Sequence, residues 1–549
     1  MKAPVLIVGA GPVGLALAGD LGWRGIPCLL IEKSDGAITQ PKMDLVGVRT
    51  MEFCRRWGLV DRVESAGYNR DYPQDCATVT ALKGYELGRV PFPSPREEKA
   101  PPQSPQKRER CPQDFFDPVL ARFARGFPHV RLRHETELIG FEEHAQGVSA
   151  SVVDGRTGKK ERIEASYLVG CDGGASTVRE QLKIAMAGSP VLTYSANAIF
   201  RCDGLETLHD KARGYRFIFI GPEGTWATLV AIDGRDRWRF SLIGDESRRR
   251  FSETEVRAAI VRAVGREFDF EILSIMPWVR RQLVAERYGT KRVFIAGDAA
   301  HVTSPTGGFG MNTGIQDAVD LAWKLEACLR GWAGEGLLAS YELERRPVGI
   351  RNVAEATGNL NRLLTPRLHR PPREIFEAGP DGERARAEFG GHFIQTIRRE
   401  WLTIGIHLGY FYEGSPIVVA DGSPPPADEV SVYAPTSRPG SRAPHVWLSD
   451  GRSALDLFGR GFTLLRFGHR RSAVDRFREA AKRRKVPLSI VDIDSEAASA
   501  AYERRLVLVR PDGHSAWRGD AQPDDALCVI DTVRGAQGAR TWDTRTRLN

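Results

Sequence analysis

Apolar positions along this chain recur with two periods, and the change from one to the other marks its elements. Val5-Leu6-Ile7-Val8 is a continuous apolar run, the pattern of a strand buried on both faces of a parallel sheet. The turn Gly9-Ala10-Gly11-Pro12-Val13-Gly14 follows. Leu15, Ala18, Leu21 and Gly22 then recur at helical spacing, and Cys28-Leu29-Leu30-Ile31 reads as a second strand that ends at Glu32. The pattern predicts a βαβ unit. Far downstream, Arg292-Val293-Phe294-Ile295-Ala296 reads as a strand ending at Gly297-Asp298. From Asn312 onward the period is helical, with Ile315, Val319, Ala322, Leu325 and Leu329 on one apolar face.

Between these regions, residues 190–285 are β-rich. Strands are predicted at Ala198-Ile199-Phe200-Arg201, Tyr215-Arg216-Phe217-Ile218-Phe219, Thr225-Trp226-Ala227-Thr228-Leu229-Val230 and Trp238-Arg239-Phe240-Ser241-Leu242. A helix is predicted near 115–126, with strands to about 170. Residues 91–105 are rich in proline and charge and read as a surface excursion. Past the loop 422–444, Phe462-Thr463-Leu464-Leu465-Arg466-Phe467, a basic helix, Leu488-Ser489-Ile490-Val491 and Leu506-Val507-Leu508-Val509 before Pro511-Asp512-Gly513 suggest a small α/β domain. The chain thus divides into a discontinuous nucleotide-binding domain (1–75, 107–189 and 286–415), a sheet domain (76–106 and 190–285) and a C-terminal domain (422–549).

Composition changes this picture little. A length of 549 residues suits three or four domain-sized units, and 42% hydrophobic with 27% charged residues is a soluble globular balance. The net charge is +8, and its densest source runs from His469-Arg470-Arg471 to Lys485. Val474, Phe477 and Ala481 recur there at helical spacing, so a solvated helix face is expected rather than a nucleic-acid or membrane patch. A positive cleft that attracts anionic NAD(P)H or an ionised substrate is also compatible. The eight cysteines form no CxxC pair, which argues against a zinc or dithiol motif and for buried thiols in a reducing, cytoplasmic setting. The 11 histidines form no HxxxH or HxH cluster, so no metal is expected, and His301 is expected to be structural. No targeting segment and no apolar run of about 18 residues is seen.

The motifs carry the chemistry. In the first turn Gly9 permits the bend, Gly11 lets backbone approach a pyrophosphate, and Gly14 lets helix and strand pack closely. Pro12 and Val13 open a helix whose N-terminus faces the phosphates. Glu32, with Lys33 beside it, stands where an acidic residue accepts a hydrogen bond from the adenosine ribose. This unit alone does not separate FAD from NAD. The run Gly297-Asp298-Ala299-Ala300-His301 does so. Asp298 ends a strand where it can bond a ribityl or ribose hydroxyl. The loop through Pro305, Gly308, Gly310, Met311 and Asn312 can lie flat against a planar ring, with a helix N-terminus behind it to stabilise a reduced flavin.

With Cys171-Asp172-Gly173-Gly174-Ala175-Ser176-Thr177-Val178-Arg179 as the second of three ordered motifs, the chain resembles the single-component (class A) flavoprotein aromatic hydroxylases, the family of p-hydroxybenzoate hydroxylase and phenol hydroxylase. The resemblance covers nearly the whole chain. It implies an α/β fold: a Rossmann-type FAD-binding domain, a β-sheet substrate domain and a thioredoxin-like C-terminal domain without its redox CxxC. It implies FAD, NADPH or NADH as co-substrate, O2, a small phenolic substrate, oxygen transfer through a C4a-hydroperoxyflavin, and a homodimer. Asp172 then serves both FAD and NAD(P)H. Lys42 takes the place of a usual arginine, and Gln113 matches a flavin-binding glutamine. Asp44 matches the catalytic aspartate of phenol hydroxylase, as base for the substrate hydroxyl; a helix N-cap or flavin-loop hydrogen bond is the other reading. Tyr215 either orients or relays the phenolic proton or is a core aromatic. Arg216 and Arg239 either anchor an anionic substrate or face solvent. Two other functions share the scaffold: tailoring of a larger polyketide aromatic, and non-oxygenating FAD oxidoreduction. A second strand–GxGxxG–helix unit, which a two-Rossmann reductase needs, is absent, as is the WxWxIP signature of the flavin-dependent halogenases.

Overall fold

The computed structural model describes residues 2–248, 250–468 and 472–536. The βαβ unit forms as the pattern predicts. Strand Lys2–Val8 lies parallel to Cys28–Ile31 on one side and to Lys160–Gly170 on the other. The sheet continues outward through Val130–Arg133 at one end and through two antiparallel neighbours, Gly147–Asp154 and Thr136–His144, at the other. Val293–Ile295 adds a parallel strand beside Lys160–Gly170, which brings residues distant in sequence to the same edge. Val5, Leu6, Ile7, Leu29, Leu30 and Ile31 are fully enclosed. Their removal from water, at about 25 cal/mol per Å² of apolar surface, is the main force assembling this layer.

Helix Pro12–Trp23 packs against this sheet and is covered in turn by helices Gln113–Arg125 and Phe309–Leu329. The last of these departs from the one-faced helix expected from its apolar period. It begins three residues earlier, at Phe309, and buries Asp317, Asp320, Lys324 and Glu326 along with its apolar positions. Its polar side therefore packs against other parts of the protein, not water.

A second sheet of eight strands stands over the first layer. All four strands read in the β-rich region are present. Two are extended by one residue at each end, to Gly224–Ala231 and Arg237–Ile243, and two belong to much longer or shifted elements, Met186–Arg201 and Arg216–Gly221. The fifteen-residue strand Glu271–Ala285 pairs along Met186–Arg201 and was not read from the sequence, because Pro277 and the adjacent pair Arg280-Arg281 interrupt its apolar pattern. Cys76–Val79 and Glu86–Val90 extend the other edge. The excursion 91–105 is only partly superficial: Ser94 and Ser104 are buried, and Ser104 Oγ donates to Glu52 at 2.7 Å. Helices Ala339–Leu368 and Pro380–Ile397 buttress the sheet.

The C-terminal sheet has the order Leu488–Ile493, Phe462–Phe467, Leu506–Val509, Ser515–Gly519. The first pair is parallel and the rest antiparallel, with helices Asp475–Arg484, Glu496–Tyr502 and Ala526–Val533 between or after the strands. This is the thioredoxin-like arrangement. Helix Asp475–Arg484 buries Phe477, Ala480 and Ala481 and leaves Arg478, Lys482 and Arg483 to water, as a solvated face does. His469, Arg470 and Arg471 lie outside the described residues. Six cysteines are buried thiols, whereas Cys328 is half-buried and Cys528 exposed. Among the described residues no helix is long and apolar enough to cross a membrane.

Candidate functional site

The first glycine turn is built by close backbone contacts. Gly9 has φ +101°, and a Cβ there would lie 2.5 Å from the Cys171 carbonyl oxygen. A Cβ on Gly14 would lie 1.9 Å from the carbonyl oxygen of Gly9. Nothing lies within 4 Å of the place a Cβ would take on Gly11, which lines an open cavity with Pro12 and Val13. Glu32 is tied into the turn: Ala10 N–H donates to Oε2 at 2.8 Å, and the Ser34 N–H and hydroxyl donate to Oε1 at 2.9 and 2.8 Å. Lys33 is exposed and does not line that cavity.

The cavity runs from this turn past the third motif and up to the eight-stranded sheet. It encloses about 1860 Å³, its open mouth included. Asp298 lies deep in the protein yet exposes its side chain to this space. Burial raises its pKa, against the opposing charges of His301 and Lys42. Pro305, Gly308, Gly310 and Met311 form the next stretch of wall. Gly308, with φ +68°, caps helix Phe309–Leu329, and the residues of the helix's first turn, whose N–H groups have no partner within the helix, line the cavity. Asn312 behaves differently from its neighbours. Its Oδ1 accepts from Gly47 N–H and Thr50 Oγ, both at 2.7 Å, and its Nδ2 donates to the Leu45 and Gly308 carbonyls at 3.0 and 2.7 Å. Its side chain pins the loop to the helix and has no capacity left for a ligand.

The second motif braces the third. Arg179 donates to the Ala299 carbonyl at 3.1 Å and to the Gly174 carbonyl at 3.0 Å. Asp172 accepts from Val178 N–H at 3.1 Å and keeps Oδ1 without a partner, and burial raises its pKa. Gln113 joins the opposite wall: its Oε1 accepts from Lys42 N–H and its Nε2 donates to Asp117, both at 3.0 Å. Behind it, burial pushes Asp117 up to about 7. His301 is held by Asp317 at 2.7 Å and fully buried, so it acts in the scaffold. The long cavity, the open space at Gly11, the unpartnered Asp298 carboxylate and two helix N-termini suit a flavin dinucleotide.

At the sheet end, four side chains converge. Asp44 Oδ1 accepts from Arg110 Nη1 at 2.9 Å, while Oδ2 accepts from Tyr215 OH at 2.6 Å and Arg239 Nη2 at 3.1 Å. The Arg110 guanidinium lies 3.7 Å from the centre of the Tyr215 ring. Burial alone would raise the pKa of Asp44, but Arg110 and Arg239 outweigh it and hold the carboxyl below its ordinary value. Burial holds Tyr215 protonated, well above its ordinary value. The N-cap reading of Asp44 does not survive, because Gly47 caps helix Val48–Arg56. The solvent-facing reading of the two arginines also fails. Arg239 lies on Asp44, and Arg216 pairs with Glu400 at 2.8 Å. Both line the cavity. Arg110, Glu400 and Arg280 were not read from the sequence. Arg110 lies three positions from Gln113, and the loop-strand context there was the available signal.

Comparison with known proteins defines the class. A family model for the FAD binding domain matches residues 2–356, and one for the aromatic-ring hydroxylase C-terminal region matches residues 436–536. The chain belongs to the class A flavoprotein aromatic hydroxylase family and has its fold, with a binding domain for FAD. Among its relatives, the FAD-dependent monooxygenase apdD of Emericella nidulans is 32% identical over 546 residues, 94% of this chain and 87% of the relative. The tetracenomycin A2 monooxygenase-dioxygenase of Streptomyces glaucescens is 31% identical over 592 residues, 99% of this chain and 98% of the relative. Of solved structures, chromopyrrolic acid-soaked RebC with bound 7-carboxy-K252c is 40% identical with a TM-score of 0.91, covering 98% of this chain and 99% of RebC. The ternary complex of aklavinone-11 hydroxylase with FAD and aklavinone is 31% identical with a TM-score of 0.81, covering 97% and 98%.

Proposed function

We propose that this chain is an NAD(P)H-dependent monooxygenase that places one atom of O2 on a hydroxyl-bearing polycyclic aromatic ring. The observation that carries the reading is the continuity of one cavity. The glycine turn and the Asp298 loop line one part of it, and the Asp44–Tyr215 pair lines another. Relatives that name tetracenomycin A2 and aklavinone support a polycyclic substrate over a simple phenol.

In this reading Gly11, Val13 and the N–H groups of their helix hold the pyrophosphate. Glu32 takes the ribose, and Asp298 the ribityl chain. Gly310 and Met311 lie at the ring system, where Lys42 and Gln113 form the opposite wall. Bound FAD supplies the electron transfer and the oxygen activation. The chain's own task is the proton on the substrate hydroxyl, since a phenolate ring is a far better nucleophile than a phenol. Tyr215 stays protonated and donates to Asp44. When the Tyr215 oxygen accepts the substrate's proton, its own proton passes to Asp44 over the existing 2.6 Å hydrogen bond. Arg110 and Arg239 keep Asp44 ionised beforehand and make it a weak base, so that it takes the proton only in passing and gives it up readily.

The test is turnover of the flavin-loaded protein with NADH or NADPH under ¹⁸O₂, against a panel from phenol to fused-ring phenols. One labelled oxygen atom in a fused-ring product is expected. Hydrogen peroxide alone, with every phenol recovered unchanged, would overturn the reading.

A further inference from the structure

The sheet face over the cavity carries Arg216, Arg239 and Arg280. Two of them have carboxylate partners and one does not. Arg216 is met by Glu400 and Arg239 by Asp44. Arg280, on strand Glu271–Ala285, is 4% exposed. Its Nη1 donates to the hydroxyls of Thr193 at 3.3 Å and Ser195 at 2.5 Å. Among the described residues no carboxylate pairs with it, and its buried Nε has no acceptor. Glu400, the acid whose charge acts on Arg280, serves Arg216 at 2.8 Å and the Gly307 N–H at 3.1 Å, both through Oε1; its buried Oε2 has no partner, and neither oxygen forms a hydrogen bond or ion pair with Arg280. Burial and the like charges of Arg216, Arg367 and Arg239 push Arg280 down to about 10, so it remains charged at neutral pH. A buried guanidinium without a counter-ion is costly unless an anion joins it.

We propose that Arg280 is the receptor for a carboxylate carried by the aromatic substrate. The two hydroxyls hold one nitrogen and fix the plane of the fork. The Nε–Nη2 edge is left, and that is the edge that grips a carboxylate through two parallel hydrogen bonds. Trp278 lies two residues away on the same strand, so on the same face, and also lines the cavity. It offers a flat apolar surface to the ring that bears the acid. The preferred substrate class is therefore a polycyclic phenolic acid. This deepens the proposed function and rests on the same reading of the cavity.

The experiment is equilibrium binding to the flavin-loaded enzyme, read from the perturbed flavin absorbance, with 3-hydroxy-2-naphthoate and its neutral isostere 3-hydroxy-2-naphthamide. The acid should bind on the order of ten- to a hundredfold more tightly, as hydrogen bonds to a charged group allow. Arg280→Gln should bring the two within about twofold without loss of bound flavin, and Arg280→Lys, which keeps the charge but loses the fork, should fall between. Equal binding of acid and amide by the unaltered enzyme overturns the proposal without any variant. An acid preference that persists in Arg280→Gln overturns it as well. Binding needs no turnover, so the two readings fail separately. An acid preference without ¹⁸O incorporation leaves the subsite standing, and oxygenation of phenols without an acid preference removes the subsite alone.

Discussion

Two clusters of acidic and basic side chains in this molecule share their residue types and differ in access. Asp44, Arg110, Tyr215 and Arg239 meet at the wall of the cavity, with side chains of Asp44 and Arg110 12% and 13% exposed. Asp320, Lys324, Glu344 and Arg510 meet between helices Phe309–Leu329 and Ala339–Leu368 and the C-terminal sheet, with side chains at most 1% exposed. In the second cluster Lys324 Nζ donates to Asp320 at 2.7 Å and Glu344 at 2.6 Å, and Arg510 reaches Asp320, Glu344 and Asp512. No ligand can enter there. Residue types alone therefore do not distinguish chemistry from architecture. Opening onto the cavity does so, since Asp44, Arg110, Tyr215 and Arg239 line it and the members of the second cluster do not.

The comparison breaks first on stability. Arg510→Met removes the cation that three buried carboxylates share, and breaking a buried pair costs about 3–5 kcal/mol. Urea unfolding should show a loss of that size, while the fraction that stays folded and flavin-loaded keeps its turnover. A stable variant that has lost hydroxylation would move this cluster into the chemistry. Asp44→Asn should do the reverse. Turnover should fall by about 10²–10⁴, the range of a proton-handling group, with a smaller change in unfolding free energy. An unchanged rate would remove Asp44 from the mechanism.

Much of this was legible in the sequence, and the rest was hidden for physical reasons. Strand Lys2–Val8 and its turn announce themselves because a strand buried on both faces must be apolar and because Gly9 and Gly14 touch backbone. The same logic misleads at Phe309–Leu329. A charged face suggests water, but Asp317, Asp320 and Lys324 find partners more than ten residues away, such as Arg345 and Glu344. Asp44 and Tyr215 are separated by 171 residues, and only folding makes their hydrogen bond. Arg280 gave no signal, since one of two adjacent arginines in a segment without clean alternation reads as solvent-facing until a neighbouring layer covers it.

Acid sharpens the contrast at a third buried group. Glu52, on helix Val48–Arg56, is paired with Arg442 and Arg49, and these pull its pKa down to about 2 against the opposing effect of burial. A carboxyl whose folded pKa is depressed contributes stability above its unfolded pKa of about 4.3, and loses it as pH falls toward the folded value. That contribution is about 3 kcal/mol. Melting temperature should therefore drop between about pH 5 and 2, and Glu52→Gln should flatten that part of the curve while lowering stability at neutrality. An acid limb of the same steepness in the variant would exclude Glu52 as its source.

The smallest expected effect separates a ligand contact from a scaffold contact inside the cavity itself. Asp298 and Asn312 both belong to the third motif, but Asn312 makes four hydrogen bonds within the protein and Asp298 pairs with none of the described residues. Asp298→Ala should therefore leave the flavin-free protein as stable as before, or more so, because burial already disfavours the ionised carboxyl. Flavin binding should weaken by about tenfold, the worth of one hydrogen bond to a charged acceptor. Asn312→Ala should lower the stability of the flavin-free protein by about 1–3 kcal/mol, because buried donors and acceptors at Gly47, Thr50, Leu45 and Gly308 lose their partner. Melting curves with and without added FAD measure both quantities in one series. If Asp298→Ala destabilises the flavin-free protein while the FAD-induced rise in melting temperature stays the same, the carboxylate belongs to the scaffold and the ribityl assignment falls.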